Sequence, residues 1–478
     1  MKIEINDFGP IQKFEFDLEK DFHFIVGRNN VGKSYAITIV YLILKSFLTI
    51  DDQPSFRLFR MMSEGVALQK DKIELTKNTT NSISISDEIV SLIDSLLSEA
   101  FLTNLTDSIL GTFESIEALS NQFSSNPLAI IITTANFVIS IGFVEKKLAI
   151  TDLVLTKEIN LRGLQRDRGT NYTDKEISIA YNVHDDGQLA VKVAKVVYRL
   201  YTMLSEEVTK QVRSIHYLPA SRSGLYQALS AFGQIIAELS KSRSFLSKKI
   251  ELPGISEPLS DYFLKLSNIS IKKKNFEDSP LNAIAEKIED EILKGKVEFD
   301  SKTKRLNFLP NGTNLKLDLS TTSSMVSELS PIVSYLRYVL TEPIPRSRQI
   351  FQIRDELRPQ KATGKPLVII EEPEAHLHPE IQIKLTAIFA TLIGAGVKII
   401  ITSHSNYIFS KVNNLILSGD LPVKSIHASV LEMTKKGSIR QELPTDELGI
   451  DDKNFLDSSE FLFEEKMRLI DQLNKKNV

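Results

Sequence analysis

Eight residues near the start, Gly27-Arg28-Asn29-Asn30-Val31-Gly32-Lys33-Ser34, constrain this chain more than any other stretch, because they match the phosphate-binding pattern G-x-x-x-x-G-K-[ST] without a mismatch. The apolar run Phe22 to Val26 before them reads as a strand, and the apolar segment Tyr35 to Leu48 after them reads as a helix. That strand–loop–helix context distinguishes a phosphate cradle from an ordinary glycine turn. The glycines let the backbone fold round phosphate oxygens, and the amides of Arg28, Asn29, Asn30, Val31 and Tyr35, with the helix N-terminus, point at the anion. Lys33 is expected to reach the β- and γ-phosphates, and the Ser34 hydroxyl to hold Mg²⁺.

The chain has 478 residues, more than one compact core usually holds, so two or three lobes are expected. Apolar content of 42% and charged content of 25% describe an ordinary globular composition. With a net charge of −3 there is no chain-wide basic field, so any nucleic-acid contact needs a local patch. The absence of cysteine excludes disulfides, thiolate zinc sites and a cysteine nucleophile. The start, Met1-Lys2-Ile3-Glu4, has no signal-peptide h-region, and a cytoplasmic location is expected. No membrane span is expected: Ala36 to Ile50 is too short and is interrupted by Lys45, and Ala118 to Val144 is rich in β-branched residues that favour strands.

Residues 1–26 alternate apolar and polar, with Gly9-Pro10 marking a turn between two strands. Ser86 to Phe113 has helical periodicity. Strands are expected near Ile130–Phe143, Lys147–Thr156 and Glu176–Val183, then a helix from Val191 to Val212. The strand Ile215-His216-Tyr217-Leu218 runs into a loop carrying Arg222, read either as a phosphate contact or as a surface arginine in a turn. Residues 226–295 look helical and carry Lys248-Lys249 and Lys272-Lys273-Lys274, which read as solvated faces or as a nucleic-acid contact. Phe299 to Leu319 reads as a meander turned by Pro310-Asn311-Gly312. Ser323 or Ser324 can cap the helix that follows, with Ser327 and Glu328 in its first turn, and a helix N-terminus there can also receive phosphate. Thr341 to Gly364 reads as a linker.

Leu367-Val368-Ile369-Ile370 is a flat apolar run, as expected of a central parallel strand covered on both faces. It ends in Glu371-Glu372, at the strand end where open α/β sheets bind ligands. Adjacent residues on a strand point to opposite sides, so Glu371 is assigned to Mg²⁺ beside Ser34 and Glu372 to the water that attacks the γ-phosphate. His376 and His378 have the spacing of a metal pair, but no further ligand cluster accompanies them, and a loop at a subunit contact is the preferred reading. Pro379 opens a helix that Gly394 or Gly396 closes. Val397 to Thr402 reads as the next strand, placing His404 to sense a γ-phosphate, with a core histidine as the alternative. Strands are expected over Val423–Met433 and Ser438–Glu442, and a polar helix from Ser459 to Leu473.

On Phe24–Ser34, Ile215–Gly224, Ser323–Pro331, Leu367–Pro379 and Ile399–Ser405, the chain resembles the ABC-type ATPases of the SMC/RecF/OLD branch, specifically the stand-alone AAA-family members. The resemblance implies an α/β fold of the P-loop NTPase type: an ABC/SMC-like head with a mixed β-sheet lobe and large helical insertions. The expected head comprises 1–50, 211–225 and 296–478, with an α/β insertion at 51–210 and a helical insertion at 226–295. It implies ATP and Mg²⁺ as cofactors and at least a dimer closing around ATP. Ser323-Ser324 would be the signature segment that meets the opposite subunit's nucleotide, with Met325 where many relatives have glycine. His404 would be the switch histidine. About 74 residues follow His404 with no Toprim pattern, so a nuclease activity in the same chain is not expected. Similar ATPases act in prokaryotic anti-phage systems beside a nuclease or toxin partner, as in PARIS- and Septu-like pairs. The expected function is thus an ATPase switch controlling such an effector or a DNA contact. The alternatives are an ATP-binding scaffold with negligible hydrolysis, or a DNA-repair RecF/SMC-like ATPase.

Overall fold

The computed structural model describes residues 1–50, 82–115, 119–145, 147–164, 169–183, 186–228, 255–269, 271, 279–341, 363–451 and 456–476. The two lysine runs and most of the expected 341–364 linker lie outside these residues.

The first strands are β1 (Lys2–Phe8), β2 (Ile11–Asp17) and β3 (Phe22–Gly27), and they lead into helix α1 (Lys33–Thr49). Alternating Ile3, Ile5, Phe14 and Phe16 bury one face of the β1–β2 hairpin. The next block holds β4 (Ile83–Ser84), α2 (Ser86–Leu97) and α3 (Thr103–Phe113), the two helices joined by a π-type turn at Ser98–Leu102. Helix Ser86–Phe113 is long and apolar enough to cross a membrane, yet its Ile89, Ile93, Leu96, Leu105 and Ile109 are buried in the same core as α1. Strands β5 (Ala129–Thr133), β6 (Phe137–Val144), β7 (Lys147–Leu155), β8 (Glu158–Leu164), β9 (Thr170–Tyr172) and β10 (Glu176–Asn182) follow. Strands β8 and β9 were not among the sequence expectations. Helix α4 (Asp186–Thr209) stops short of the expected Val212, which instead opens β11 (Val212–Leu218).

Helices α5 (Glu257–Ser267) and α6 (Pro280–Ile288) precede the meander β12 (Gly295–Asp300), β13 (Arg305–Pro310) and β14 (Leu317–Asp318). Then come α7 (Ser324–Ser334), β15 (Lys365–Glu371), α8 (Pro379–Gly394), β16 (Lys398–Ser403) and α9 (Asn406–Leu417). Strands β17 (Ile426–Thr434), β18 (Gly437–Glu442), β19 (Thr445–Asp446) and β20 (Gly449–Ile450) and helix α10 (Leu456–Lys476) end the described chain. Glu328 lies just past the first turn of α7 and is fully buried, not in that turn as expected. Helix α10 covers the expected 459–473 segment, and its Phe461, Leu462, Phe463, Met467, Leu469 and Ile470 are exposed.

One 11-stranded sheet, in the order β11-β15-β16-β3-β17-β18-β2-β1-β5-β6-β7, organises the molecule. Its first five strands run parallel, and the rest pair mostly antiparallel. Part of the 51–210 block is therefore continuous with the expected head, because β5 pairs with β1 and carries the sheet onward. The physical reason is that β1 would otherwise present an open edge. A four-stranded sheet (β4-β8-β10-β9) and the β12–β14 meander stand beside the main sheet. Helix α1 is buried in one apolar cluster with the β1–β2 hairpin, β5, β6 and α4, while α7, α8 and α9 share the cluster on the opposite face. The result is a mixed α/β sheet with helices on both faces.

Candidate functional site

The phosphate-type loop has the backbone its glycines predict. Gly27 has φ +149° and Gly32 has φ +86°, and a Cβ on Gly32 would meet Pro10 Cγ at 2.9 Å. Asn30 also takes a left-handed φ of 61°. Gly32 is the N-cap of α1 and has no side chain to accept from the first-turn amides. Those amides form the anion-receptive end of the helix. Lys33 Nζ donates to Gly27 O at 3.0 Å and to Arg28 O at 2.7 Å. Burial pulls the Lys33 ammonium down to about 8, against the opposing pull of Glu372, Glu374 and Glu371.

A cavity of about 570 Å³ opens over this loop, lined by Pro10, Asn29, Asn30, Val31, Gly32, Lys33, Ser34, Tyr35, Glu372, Thr402 and His404. Strand order explains the convergence: β15, β16 and β3 are parallel neighbours, so Glu371-Glu372, Thr402 to His404 and the loop after Gly27 leave the sheet at the same end.

The two acids occupy different environments. Glu371 is buried behind the loop, where burial raises its carboxyl pKa against hydrogen bonds from Ser34, Ala220 and Tyr217 that lower it. Glu372 is partly exposed, with His404 Nε2 at 3.5 Å from its Oε1. The hydrogen bond from His404 holds the Glu372 carboxyl below the usual range, with the charges of His404, Lys33 and Arg222 adding to it. Glu372 has φ +40°, a backbone state costing on the order of 1–3 kcal/mol in a non-glycine residue. Glu374 accepts from Ser403 Oγ at 2.8 Å and His404 N at 2.6 Å, tying the loop after the acids to the strand before the histidine.

Arg222 is placed otherwise than either sequence reading expected. It is fully buried, neither a phosphate contact lining the cavity nor a surface arginine. Its Nη1 donates to Glu371 O at 2.9 Å and Pro219 O at 3.1 Å, its Nε donates to Glu328 O at 3.3 Å, and its Nη2 stands 3.3 Å from Glu328 Oε2. The physical reason is the buried carboxylate on α7, which gives the desolvated guanidinium its counter-charge.

Ser323 is the N-cap of α7 and accepts from Val326 N at 3.4 Å. Ser323 and Ser324 are exposed and do not line the cavity of their own chain. Nor do Gly27 and Arg28, whose carbonyls hold Lys33 instead. His378 caps α8 through Nδ1, accepting from Glu380 N at 3.3 Å, and no cluster of three or more His, Cys, Asp or Glu that could hold a metal occurs among the described residues. Pro10, Thr402 and Tyr217 complete the site without having been singled out from the sequence. Pro10 arrives from the β1–β2 turn, which the sequence signalled only as a turn.

A family model described as an AAA ATPase domain matches residues 1–409. No curated protein matches the chain. Among solved structures, an SMC head bound to the C-winged helix domain of ScpA is similar over 92% of this chain and 97% of its own, at 11% identity and a TM-score of 0.37. The SMC head domain from Thermotoga maritima covers 93% of this chain and 98% of its own, at 8% identity and TM-score 0.34. An SMC head with an extended coiled coil bound to the C-terminal domain of ScpA, from Pyrococcus furiosus, covers 99% and 98%, at 11% identity and TM-score 0.33.

Proposed function

This chain belongs to the AAA ATPase domain family, and we propose that it is an Mg²⁺-ATP-dependent switch that hydrolyses ATP, closes into a dimer or larger oligomer around the nucleotide, and so controls a nuclease or toxin effector or a DNA contact. The observation that carries the reading is the meeting of Lys33 and Ser34 with Glu372 and His404 at one cavity, although they come from opposite ends of the chain.

The first-turn amides of α1 and the Lys33 ammonium bind the β- and γ-phosphates. Ser34 and Glu371 offer oxygen donors only, already hydrogen-bonded to each other, and such a pair suits Mg²⁺ completed by water and phosphate. When bound, the ion neutralises charge on the phosphate oxygens. Glu372, kept ionised by His404, accepts a hydrogen bond from the attacking water and orients it. His404 holds that carboxylate and faces the γ-phosphate. The exposed start of α7, with Ser323 and Ser324, is free to meet the nucleotide of a second copy. The effector and a role in anti-phage defence rest on the sequence resemblance alone.

The test is single-turnover hydrolysis by wild type and Glu372→Gln, with mass measured by light scattering in ATP. The variant is expected to lose about 10²- to 10⁴-fold in rate while accumulating as the ATP-bound oligomer. Equal near-zero rates would favour a nucleotide-binding scaffold, and a wild-type rate in the variant would remove Glu372 from the chemistry.

A further inference from the structure

The peptide bond joining Glu371 to Glu372 is held at both ends. Its carbonyl, Glu371 O, accepts from Arg222 Nη1 at 2.9 Å, and its amide, Glu372 N, donates to Thr402 O at 2.9 Å. The residue just after that carbonyl has φ +40°, which an L side chain rarely adopts. Such a conformation persists only where its surroundings over-determine it. Arg222 supplies one half of that restraint from a position with no solvent contact.

Its counter-charge belongs to a different element. Glu328 sits on α7, whose exposed start is Ser323-Ser324, and its Oε1 accepts from Ser223 Oγ at 2.8 Å. One buried guanidinium therefore touches both the end of β15 and the helix that begins at Ser323. The Arg222 carbonyl in turn accepts from Tyr262 Oη on α5 at 3.2 Å, so the position of the arginine is itself fixed.

We infer that Arg222 is a positioning residue: by holding Glu371 O it sets the plane of the Glu371–Glu372 peptide and the direction in which the Glu372 carboxylate enters the cavity, and through Glu328 it locks that direction to the placement of α7. The inference rests on the hydrolysis reading above. The planar fork of donors on arginine is what the role requires, because three carbonyls and a carboxylate are engaged at once. A lysine keeps the charge and loses the fork.

The experiment compares wild type, Arg222→Lys and Glu328→Gln in ATP binding and in steady-state hydrolysis, with thermal midpoints recorded. Arg222→Lys is expected to lose about ten- to a hundredfold in kcat, the scale of a displaced reacting group, while its ATP affinity is retained. Glu328→Gln, which keeps the side-chain volume and an acceptor for Ser223, is expected to lose less in kcat, again with affinity retained, and it carries the test if Arg222→Lys does not fold. A folded variant with the wild-type kcat overturns the inference, since a merely structural arginine would move the midpoint and leave the kcat-to-affinity split alone. A parallel fall in affinity and kcat also overturns it, because it would put Arg222 on the nucleotide. If wild type does not hydrolyse ATP, the functional reading fails and this inference fails with it; if wild type hydrolyses and Arg222→Lys matches it, this inference fails alone.

Discussion

The two halves of the large sheet both bury apolar side chains and have different capacities. In the parallel half, β11, β15, β16, β3 and β17 all end on one side, and the polar residues Glu371, Thr402, Ser403 and Lys33 are buried there. In the β1, β2, β5, β6 and β7 half, neighbouring chains alternate direction, so turns are divided between both ends. Buried Ile3, Ile5, Phe14, Ile130, Ile132, Ile139 and Ile141 fill it, packed in the cluster that contains α1. The difference teaches that apolar strands yield a site only where strand direction gathers loops at one end. The antiparallel half contributes to that site through Pro10, from the turn joining β1 to β2.

If that division holds, damage to each half has a separate signature. Ile132→Ala, in a fully buried position of β5, is expected to lower stability by about 2–5 kcal/mol in denaturant titration, with ATP affinity unchanged in the folded fraction. A matching loss of affinity would show that the halves are coupled. Lys33→Ala should do the reverse, weakening ATP binding on the order of ten- to a hundredfold for one charge-assisted contact. Unchanged affinity would break the assignment of the parallel half. Gly32→Ala crosses the boundary, because the new Cβ would meet Pro10 while φ stays positive. A cost of about 1–3 kcal/mol is expected, appearing mainly as weaker nucleotide binding.

The smallest effect sharpens the electrostatics. Burial depresses Lys33 to about 8 in the protein, while phosphate in the cavity favours its charged form. Binding then takes up a proton above that pH, and affinity falls as pH rises through about 8. The sign for stability follows from the same depression: the unfolded chain binds more protons between the lowered and the ordinary lysine value, so Lys33 destabilises the unliganded protein below that window and less so above it. Calorimetry in buffers of different ionisation heat reads the uptake, and a flat affinity across the range would remove Lys33 from the phosphates.

The elements that meet at the cavity were legible because their signals are contiguous. The loop Gly27–Ser34, the run Leu367–Glu372 and the strand before His404 each announce strand, turn and polar terminus within a dozen residues. Arg222 was not legible. Pro219 to Gly224 has the composition of a surface turn, and the carboxylate that pairs with it is 106 positions away. The pairing of β5 with β1 was hidden for the same reason, since an edge has no local signature of what will cover it. The apolar side chains of α10 were present in the sequence, and only the fold shows them to be exposed.

By itself, the sequence determined that this chain has a phosphate-type loop between a strand and a helix, and a buried strand ending in two acids. Backbone conformation and strand burial follow from neighbours a few positions apart, so such features survive without knowledge of the fold. Only the tertiary structure decided that Arg222 is enclosed and that the sheet runs on past β1. Those outcomes depend on desolvation and on partners brought from distant parts of the chain, and neither is encoded in any single stretch.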